Sequence, residues 1–371
     1  MKHVLIVGAG AVGLSCARAA LLRGHRVTVL EQGAIPNTRS ASFDQHRLIR
    51  YQYGRSVGYT QMVSDAFGAW DGLWQDLGEQ HHHATGTLGI SLEEGDYISQ
   101  SRVTLAQMGI DHQWMDQTAI QRLCPQLQLP AHAQGLYTTT GGVLFADRIV
   151  LGLAAWCREY GAALHANTAV LSVDIERGRV HVATGVLDAD QIIIAAGAWL
   201  PGLLPAYRDL VTARQAVCYV EAPPQHLAHW ANGPCITDIG PGDNYALMPV
   251  QGTGLKFGSG IHRRPGSPSE GFGSEPDEGY AVIAHFAPYL RNAADYRPQR
   301  MQVGYYVRDG VDAFRVEPQG KAIVITNCGG GMFKFSALMG ERVLACVDHE
   351  ITPEHLQHWA AGHLSTTPLP P

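Results

Sequence analysis

The chain begins with an apolar run that changes abruptly to glycine. Residues 4–7 read Val-Leu-Ile-Val, and residues 8–13 read Gly-Ala-Gly-Ala-Val-Gly. A stretch of helical character over residues 14–23 leads to a second apolar run, residues 27–30, which is followed by Glu31. A short apolar run bounded by turn residues is typical of a buried strand. The pattern therefore predicts a strand, a glycine turn, a helix and a second strand, in that order.

Further along the chain the hydrophobic spacing alternates between helical and extended periods. Apolar residues near a 3.6-residue period predict a helix over about 59–77 and another over 147–160, with Asp147 as its N-cap. Two polar helices are expected between about 95 and 130, and an amphipathic one over about 277–290. Runs that predict strands are 86–90, 169–173, 180–182, 191–196, 214–220, 245–250, 255–258 and 322–326.

The order of these elements predicts an α/β fold with an insertion. Apolar runs suited to a buried parallel sheet occur at the start, in the middle and near the end of the chain, and alternating strands lie between them. We therefore expect a Rossmann-like nucleotide-binding domain with an inserted α+β substrate-binding domain built on an antiparallel sheet. The nucleotide-binding domain is assigned to 1–80, 140–210 and 311–371, and the substrate-binding domain to 81–139 and 211–310.

Composition narrows the possible partners. Hydrophobic residues make up 46% of the 371 residues and charged residues 16%, enough apolar content for a substantial core. A net charge of -6 argues against nucleic acid or an anionic membrane as partner. With a strand predicted from residue 2 and no apolar run long enough to span a bilayer, we expect a cytoplasmic protein. The 7 scattered cysteines indicate reduced thiols, and the histidines at 81–83 are expected to be solvent-exposed, so no metal site is predicted.

The opening segment carries the strongest chemical signal. Gly-x-Gly-x-x-Gly between a strand and a helix, followed by an acidic residue after the next strand, is the dinucleotide-binding fingerprint. The first glycine allows the tight turn, the second lets the backbone approach a pyrophosphate, and the third lets helix and strand pack closely. The helix N-terminus offers free N–H groups to the phosphates, and the acidic residue accepts hydrogen bonds from a ribose. The residues assigned to the dinucleotide here are Gly8, Gly10, Ala11, Val12, Gly13 and Glu31.

Two further segments, taken with the fingerprint, resemble a known family. Residues 47–54 read Arg-Leu-Ile-Arg-Tyr-Gln-Tyr-Gly, and residues 331–336 read Gly-Met-Phe-Lys-Phe-Ser. They are similar to the Arg-x-x-Arg-x-x-Tyr-Gly and Gly-Phe-Lys-Phe-Ser segments of the D-amino-acid-oxidase-like superfamily of FAD-dependent oxidoreductases. Within that superfamily the chain resembles the monomeric sarcosine oxidase branch, and the resemblance covers essentially the whole sequence.

The resemblance implies FAD as cofactor. A cation or donor nest near the flavin N1 and C2 carbonyl favours reduction, and a glycine cluster opening a helix is suited to that place. The family's cysteine that bonds covalently to flavin is replaced by Gly304, so the FAD is expected to be noncovalent. Beyond the fingerprint, the residues assigned to the cofactor are Arg47, Val170, Gly197, Gly329, Gly330, Gly331 and Lys334.

The same resemblance implies the substrate site. Lys256 lies mid-strand between apolar neighbours, where the family places a lysine that helps reduced flavin react with oxygen. Arg50 and Lys334 correspond to the pair that holds a substrate carboxylate. Tyr245 and Tyr306 match positions of substrate-facing tyrosines, although both fit equally well as core tyrosines.

Departures from the family pattern put sarcosine itself in doubt. Phe43 stands where the family has a histidine before the first arginine. Gly260 replaces the histidine four residues beyond the lysine, and His262 is close enough in sequence to reach into the pocket in its place.

The implied activity is that of an FAD-dependent oxidase. It would remove hydride from the C–N bond of an amino or imino acid to give an imine, with O2 converted to H2O2. Alternatives are a dehydrogenase of the same fold that uses a quinone or carrier acceptor, a biosynthetic oxidase of an unusual cyclic amino acid, and a non-catalytic FAD-binding subunit. The expected partners are a small amino or imino acid and O2, with the protein a monomer or small homo-oligomer.

Overall fold

The computed structural model describes residues 1–310 and 313–364. The strands in the first half are β1 (His3–Val7), β2 (Arg26–Leu30), β3 (Arg47–Ile49), β4 (His82–His83), β5 (Thr87–Ser91), β6 (Gln113–Asp116), β7 (Gln134–Thr138), β8 (Gly142–Leu144), β9 (Ala163–His165), β10 (Val170–Asp174), β11 (Arg179–Val182) and β12 (Gly185–Asp188). Those that follow are β13 (Gln191–Ile194), β14 (Thr212–Glu221), β15 (Cys235–Asp238), β16 (Tyr245–Leu247), β17 (Leu255–Gly258), β18 (Arg264–Pro265), β19 (Arg297–Val307), β20 (Arg315–Gln319) and β21 (Ala322–Thr326). The helices are α1 (Ala11–Leu22), α2 (Val57–Leu77), α3 (Tyr97–Gln107), α4 (Gln117–Leu123), α5 (Ala146–Glu159), α6 (Leu200–Leu203), α7 (Leu227–Asn232), α8 (Glu278–Ala284), α9 (Ser336–Val347) and α10 (Pro353–Ala360).

The first large sheet is the predicted Rossmann-like sheet. Its strand order is β20-β21-β13-β1-β2-β9, parallel throughout except for β20 at the edge. Ile6 of β1 pairs with Ile193 on one side and Val29 on the other, and all three are fully buried. Residues of α1, α5 and α9 share a hydrophobic core with this sheet. The antiparallel strands β10–β12 contribute to a separate core on which Leu5 and Val324 pack.

The second large sheet contains β18-β14-β17-β16-β15-β5-β7-β6 in that order, with β19 also paired to β14. It is antiparallel except between β5 and β15, which run parallel. The antiparallel sheet predicted from 211–310 is thus confirmed, and the one parallel junction is where a strand of 81–139 joins it. The parallel pairing is possible because no hairpin joins β5 to β15, which are far apart in the chain. Strands from 81–139 and from 211–310 share this sheet, while the division into two domains stays a prediction.

Several predicted boundaries differ from the structure. Helix α5 begins at Ala146 with Phe145 as its N-cap, so Asp147 lies in the first turn, where a carboxylate favours the helix dipole. Strand β6 separates the two polar helices α3 and α4, and α8 ends at Ala284. The prediction of an exposed histidine run was wrong, because His81 is buried and the next two histidines form β4. In the part of the chain described here, no helix is long and apolar enough to cross a bilayer.

Candidate active site

A cavity of about 820 Å³ is lined by the turn after β1, the segment around β3, strands of the second sheet and the turn after β21. Every residue that the sequence assigned to cofactor or substrate lines this cavity. These residues are Gly8, Gly10, Ala11, Val12, Gly13, Glu31, Arg47, Arg50, Val170, Gly197, Tyr245, Lys256, Tyr306, Gly329, Gly330, Gly331 and Lys334.

The glycine turn after β1 has no room for side chains. Gly8 has φ +103°, and a Cβ added there would lie 2.5 Å from the carbonyl oxygen of Ala195. A Cβ on Gly13 would lie 2.0 Å from the carbonyl oxygen of Gly8, so strand and helix approach as closely as their backbones allow. The turn therefore presents bare backbone and the N-terminus of α1 to the cavity, which is the arrangement a pyrophosphate requires.

Glu31 follows β2 and is oriented by three donors. Its carboxylate accepts hydrogen bonds from the backbone amide of Ala9 at 2.9 Å, from that of Gly33 at 3.0 Å and from the Asn37 side chain at 3.0 Å. The side chain is buried, at 6% exposure, yet lines the cavity. A carboxylate held in this way beside the glycine turn fits the ribose of a dinucleotide.

A buried acid that the sequence analysis missed joins two of the predicted cations. Asp44 Oδ2 accepts a hydrogen bond from Lys256 Nζ at 2.9 Å and another from Arg47 Nη1. Its Oδ1 accepts from the Tyr219 hydroxyl at 2.5 Å. Lys256 also donates to the carbonyl of His46. Asp44 is 3% exposed and Lys256 2% exposed, and both line the cavity.

Charge pairing decides the protonation states in this cluster. Burial alone would raise the pKa of Asp44, but the Lys256 ammonium and the Arg47 guanidinium hold that pKa well below its usual range. Burial lowers the pKa of Lys256 to about 8, against the opposing attraction of Asp44. The cluster therefore carries two cations and one anion at neutral pH.

Arg50 and Lys334 form a second group of cations, and both approach the ring of Tyr53. The Arg50 guanidinium lies 5.0 Å from the ring centroid and Lys334 Nζ 5.6 Å from it. Arg50 donates to the Tyr97 hydroxyl at 3.3 Å, and Lys334 donates to the carbonyl of Gly331 at 3.1 Å. Within residues 1–310 and 313–364, neither cation lies within 4.0 Å of a carboxylate oxygen.

Burial shifts the pKa of Lys334 into the neutral range. Desolvation first, and the nearby Arg50 charge second, lower the pKa of Lys334 to about 7. Burial opposes the charge of Arg50 as well, but neighbouring groups, Tyr97 foremost, raise its pKa. An added anion between the two side chains would stabilise both charges.

The two predicted tyrosines stand at the cavity wall. The Tyr306 hydroxyl donates to Gln215 Oε1 at 3.4 Å, and its ring lies against Gly330, where a Cβ would be 3.1 Å from it. Burial raises the pKa of both Tyr245 and Tyr306, so each hydroxyl is neutral and able to donate. Both side chains help to shape the wall of the cavity.

Gly304 and Gly260, which depart from the family pattern, and His262 differ in how they relate to the cavity. Gly304 lines the cavity, and a Cβ there would meet nothing within 4 Å. A Cβ on Gly260 would lie 3.0 Å from Asp243 Oδ2, so a different side chain occupies that region. The expectation that His262 reaches into the pocket was wrong, because its Nε2 lies 3.1 Å from Glu278 Oε1, away from the cavity lining.

The residues that sequence reasoning missed are Asp44, Tyr219 and Asp243. Asp44 had a local signal, an acid three positions before Arg47 in a segment that ends in basic residues. Tyr219 and Asp243 had none, because their contacts, with Asp44 and Gly260, are with loop residues distant in sequence. Over the described residues, no group of three or more metal-ligating side chains is found.

A parallel sheet that ends in this glycine turn, with a cavity that continues to a cluster of cations, is typical of a dinucleotide-binding protein. The cavity lies within the range of about 300–1,000 Å³ that cofactor and ligand sites occupy. The chain belongs to the DAO family of FAD-dependent oxidoreductases, whose family model matches residues 3–345. The predicted family and fold are thereby confirmed, and the family's cofactor is FAD.

Relatives of known activity lie in the predicted branch. Peroxisomal sarcosine oxidase of Mus musculus is 29% identical over 260 residues, which are 68% of this chain and 66% of the mouse protein. The match thus spans just under two thirds of that relative. N-methyl-L-tryptophan oxidase of Yersinia pestis is 22% identical over 365 residues, 91% of this chain and 92% of the relative.

Solved structures show the same fold at low identity. L-proline dehydrogenase from P. horikoshii superposes with a TM-score of 0.83 at 16% identity, covering 98% of this chain and 99% of that one. NikD, described as an unusual amino acid oxidase essential for nikkomycin biosynthesis, gives 0.79 at 20% identity with 95% of each chain covered.

Proposed function

We propose that this protein is an FAD-dependent oxidase that removes hydride from the carbon of a C–N bond in an amino or imino acid, giving an imine. O2 is the proposed acceptor and H2O2 its product. The relatives support this proposal, since sarcosine oxidase and N-methyl-L-tryptophan oxidase are named for amino acid substrates. The glycine turn after β1, together with Glu31, would hold FAD, which would supply the redox chemistry between the substrate and dioxygen.

One observation carries the assignment to an amino acid. Arg50 and Lys334 flank the same tyrosine ring, have no carboxylate partner among the described residues, and line the cavity that continues to the glycine turns. A planar guanidinium and an ammonium held beside the same ring suit a carboxylate that accepts from both. They would fix the substrate with its Cα–H in one orientation, which supplies rate through positioning.

The same cations favour the reactive form of the amine. A substrate ammonium beside Arg50, Lys334 and Lys256 would meet like charge and lose hydration, and both effects lower its pKa. The neutral amine can release hydride, whereas the ammonium cannot. No side chain is needed as a base once the amine has lost its proton.

An anaerobic titration tests this function. The purified protein with bound FAD is mixed in turn with primary, N-methyl and cyclic amino acids, and with the matching amines that lack a carboxylate. We expect the visible flavin bands to bleach with at least one amino acid but with none of the matched amines, and to return when air is admitted. Bleaching by the amines alone would contradict the carboxylate site.

The acceptor is decided by the second half of that experiment. Bands that bleach but recover slowly in air, and quickly with a quinone, would identify a dehydrogenase of the same fold. A substrate found only among cyclic amino acids would favour the biosynthetic oxidase. We further propose a cytoplasmic protein, monomeric or a small homo-oligomer, without nucleic acid or membrane partners, in keeping with its net charge of -6.

A further inference from the structure

Asp44 is placed to control Lys256 directly. Lys256 Nζ donates to Asp44 Oδ2 at 2.9 Å and to the carbonyl of His46. An ammonium has three donors, so two are fixed by the protein and one remains for the cavity that Lys256 lines. The Tyr219 hydroxyl, 2.5 Å from Asp44 Oδ1, fixes the other oxygen of the carboxylate.

The charges around Lys256 make Asp44 necessary. Arg47 is the first residue of β3 and binds the same carboxylate. The guanidinium of Arg300, on β19, stacks on the ring of Tyr219 at 3.6 Å from its centroid. Burial opposes a charge on Lys256 most, and both guanidinium charges oppose it further. His46, whose pKa burial keeps well below its usual value, adds no charge of its own at neutral pH. Asp44 is the acid that contacts Lys256 and offsets these effects.

We propose that Asp44 is the positioning residue for Lys256, holding its ammonium charged and aimed at the cavity, and thereby setting the rate at which dioxygen reoxidises the cofactor. This inference rests on the proposed role of Lys256 in the oxygen reaction. Dioxygen takes up two electrons from the reduced cofactor and two protons to become hydrogen peroxide, and negative charge develops on it before the protons arrive. A fixed ammonium stabilises that charge, and a neutral or displaced lysine does not.

The kinetic test needs no knowledge of the substrate. The holoenzyme is reduced anaerobically with dithionite, mixed with aerated buffer, and followed by flavin absorbance. We expect Asp44→Asn to slow reoxidation by about tenfold at neutral pH. A loss of the Asp44 charge that lowers the Lys256 pKa by about 2, from its wild-type value of about 8, reduces the protonated fraction from about nine tenths to about one tenth. Lys256→Met is expected to be slow as well. The double variant should be no slower than Lys256→Met alone, because Asp44 acts through Lys256.

An equilibrium measurement separates this role from a structural one. The visible spectrum of the bound, oxidised flavin is recorded against pH, because a charge change beside the flavin alters its absorbance. We expect a transition near the Lys256 pKa of about 8 in the wild type, at lower pH in Asp44→Asn, and none in Lys256→Met. Asp44→Glu, which keeps the charge, should return the transition toward its wild-type position.

A matched control comes from a second buried carboxylate. Glu278 accepts from Arg214 at 2.5 and 2.9 Å, is 9% exposed, and does not line the cavity. Glu278→Gln therefore removes a buried arginine partner while leaving Lys256 untouched, and should keep both the spectral transition and the reoxidation rate.

The proposal is overturned if Asp44→Asn leaves the transition in place, or if it slows reoxidation further in the Lys256→Met background. Failure of the proposed function would look different. A wild-type enzyme that reoxidises slowly in air would remove the oxidase assignment, while the spectral titration would still report whether Asp44 controls Lys256.

Discussion

At the scale of single residues, the cations that line the cavity differ in whether a carboxylate of the protein contacts them. Arg47 and Lys256 share the carboxylate of Asp44. Within the described residues, Arg50 and Lys334 contact hydroxyl, carbonyl and aromatic groups, and no carboxylate oxygen lies within 4.0 Å of either. The Asp238 carboxylate acts on Arg50 only from a greater distance. A buried cation without a counterion is costly, so it persists where a ligand supplies the missing charge. The cavity therefore holds two kinds of cation. Arg47 and Lys256 are neutralised by the protein itself, whereas Arg50 and Lys334 are left for the carboxylate of the substrate.

The first prediction concerns the unpaired cations. Arg50→Met or Lys334→Met should lower kcat/KM for the amino acid substrate by about 10- to 100-fold, the value of a charge-assisted hydrogen bond. Steady-state peroxide production measures the loss. Leu151→Met on the exposed face of α5 serves as a control that should leave kcat/KM unchanged. Equal activity in all three variants would contradict the carboxylate site.

The second prediction is a pH dependence at Lys334. Because its pKa is lowered to about 7, Lys334 is charged below that pH and progressively neutral above it. Affinity for a simple carboxylate such as acetate should therefore fall as the pH is raised through about 7. Flavin spectral perturbation gives the dissociation constant at each pH. Lys334→Arg, which stays charged, should bind acetate with little change over the same range.

The third prediction concerns Gly304, which offers no atom for a bond to the cofactor. Acid precipitation of the holoprotein should leave all of its FAD in the supernatant. Flavin fluorescence that migrates with the polypeptide in a denaturing gel would contradict a noncovalent cofactor. Cys328, which also lines the cavity, would then be the residue to substitute.

Sequence reasoning reached the cavity residues that belong to contiguous motifs and missed those defined by distant contacts. Arg47, Arg50 and Lys334 lie in the two short segments, 47–54 and 331–336, that resemble the family. Asp44 meets Lys256 across 212 positions of sequence, and no local pattern encodes that pairing. The same limit explains His262, whose pairing with Glu278 depends on how α8 packs.

At the scale of elements, the β1–α1 turn depends on the absence of side chains. The close approach of Gly13 to the Gly8 carbonyl holds α1 against β1, and it leaves bare backbone facing the cavity. Any Cβ at Gly13 must push the strand and the helix apart.

The fourth prediction follows from that contact. Gly13→Ala should destabilise the fold by about 1–3 kcal/mol, the usual cost of overpacking, and weaken FAD binding as well. Gly68→Ala is the matched control, because Gly68 is exposed within α2 and an added Cβ meets nothing within 4 Å. This substitution should stabilise the protein by about 0.5–1 kcal/mol. Chemical denaturation and FAD titration of both variants measure the difference.

Element types were more predictable than their ends and partners. Strands β1, β2, β13 and β21 follow from apolar runs because both faces of a parallel sheet are buried. The predicted start of α5 was one residue too late, because Asp147 was interpreted as the N-cap. An acid is favourable both at the N-cap and in the first turn of a helix. The parallel pairing of β5 with β15 depends on tertiary packing, and the hydrophobic pattern of a strand does not indicate which strand it pairs with.

At the scale of the whole molecule, one cavity is lined by both large sheets. Val7 of β1 and Ile325 of β21 line it from the first sheet, and Tyr245 of β16 and Lys256 of β17 line it from the second. A cofactor that fills the cavity therefore contacts both parts of the fold. The discontinuous layout was predictable from the order of apolar runs, but the shared cavity needed the packing of the two sheets.

The fifth prediction is that FAD stabilises the entire fold. FAD at 100 times its dissociation constant should add about 2.7 kcal/mol to the free energy of unfolding. Hydrogen exchange should slow for amides of β1 and of β17 together when FAD is added. Protection confined to the glycine turn would show that the second sheet does not take part in binding.

The cations that line the cavity also act on substrate molecules that are still free in solution. The protein as a whole is acidic, with a net charge of -6, while the cavity presents Arg50, Lys334 and Arg263. These side chains create a local positive potential that reaches about 10 Å at 0.1 M salt, and within that range it turns the carboxylate end of a zwitterionic amino acid toward the recess. The association rate of a simple carboxylate such as acetate should then fall as ionic strength rises, while the rate of hydride removal from bound substrate should not. The enzyme would select for carboxylates during diffusion, before any hydrogen bond forms.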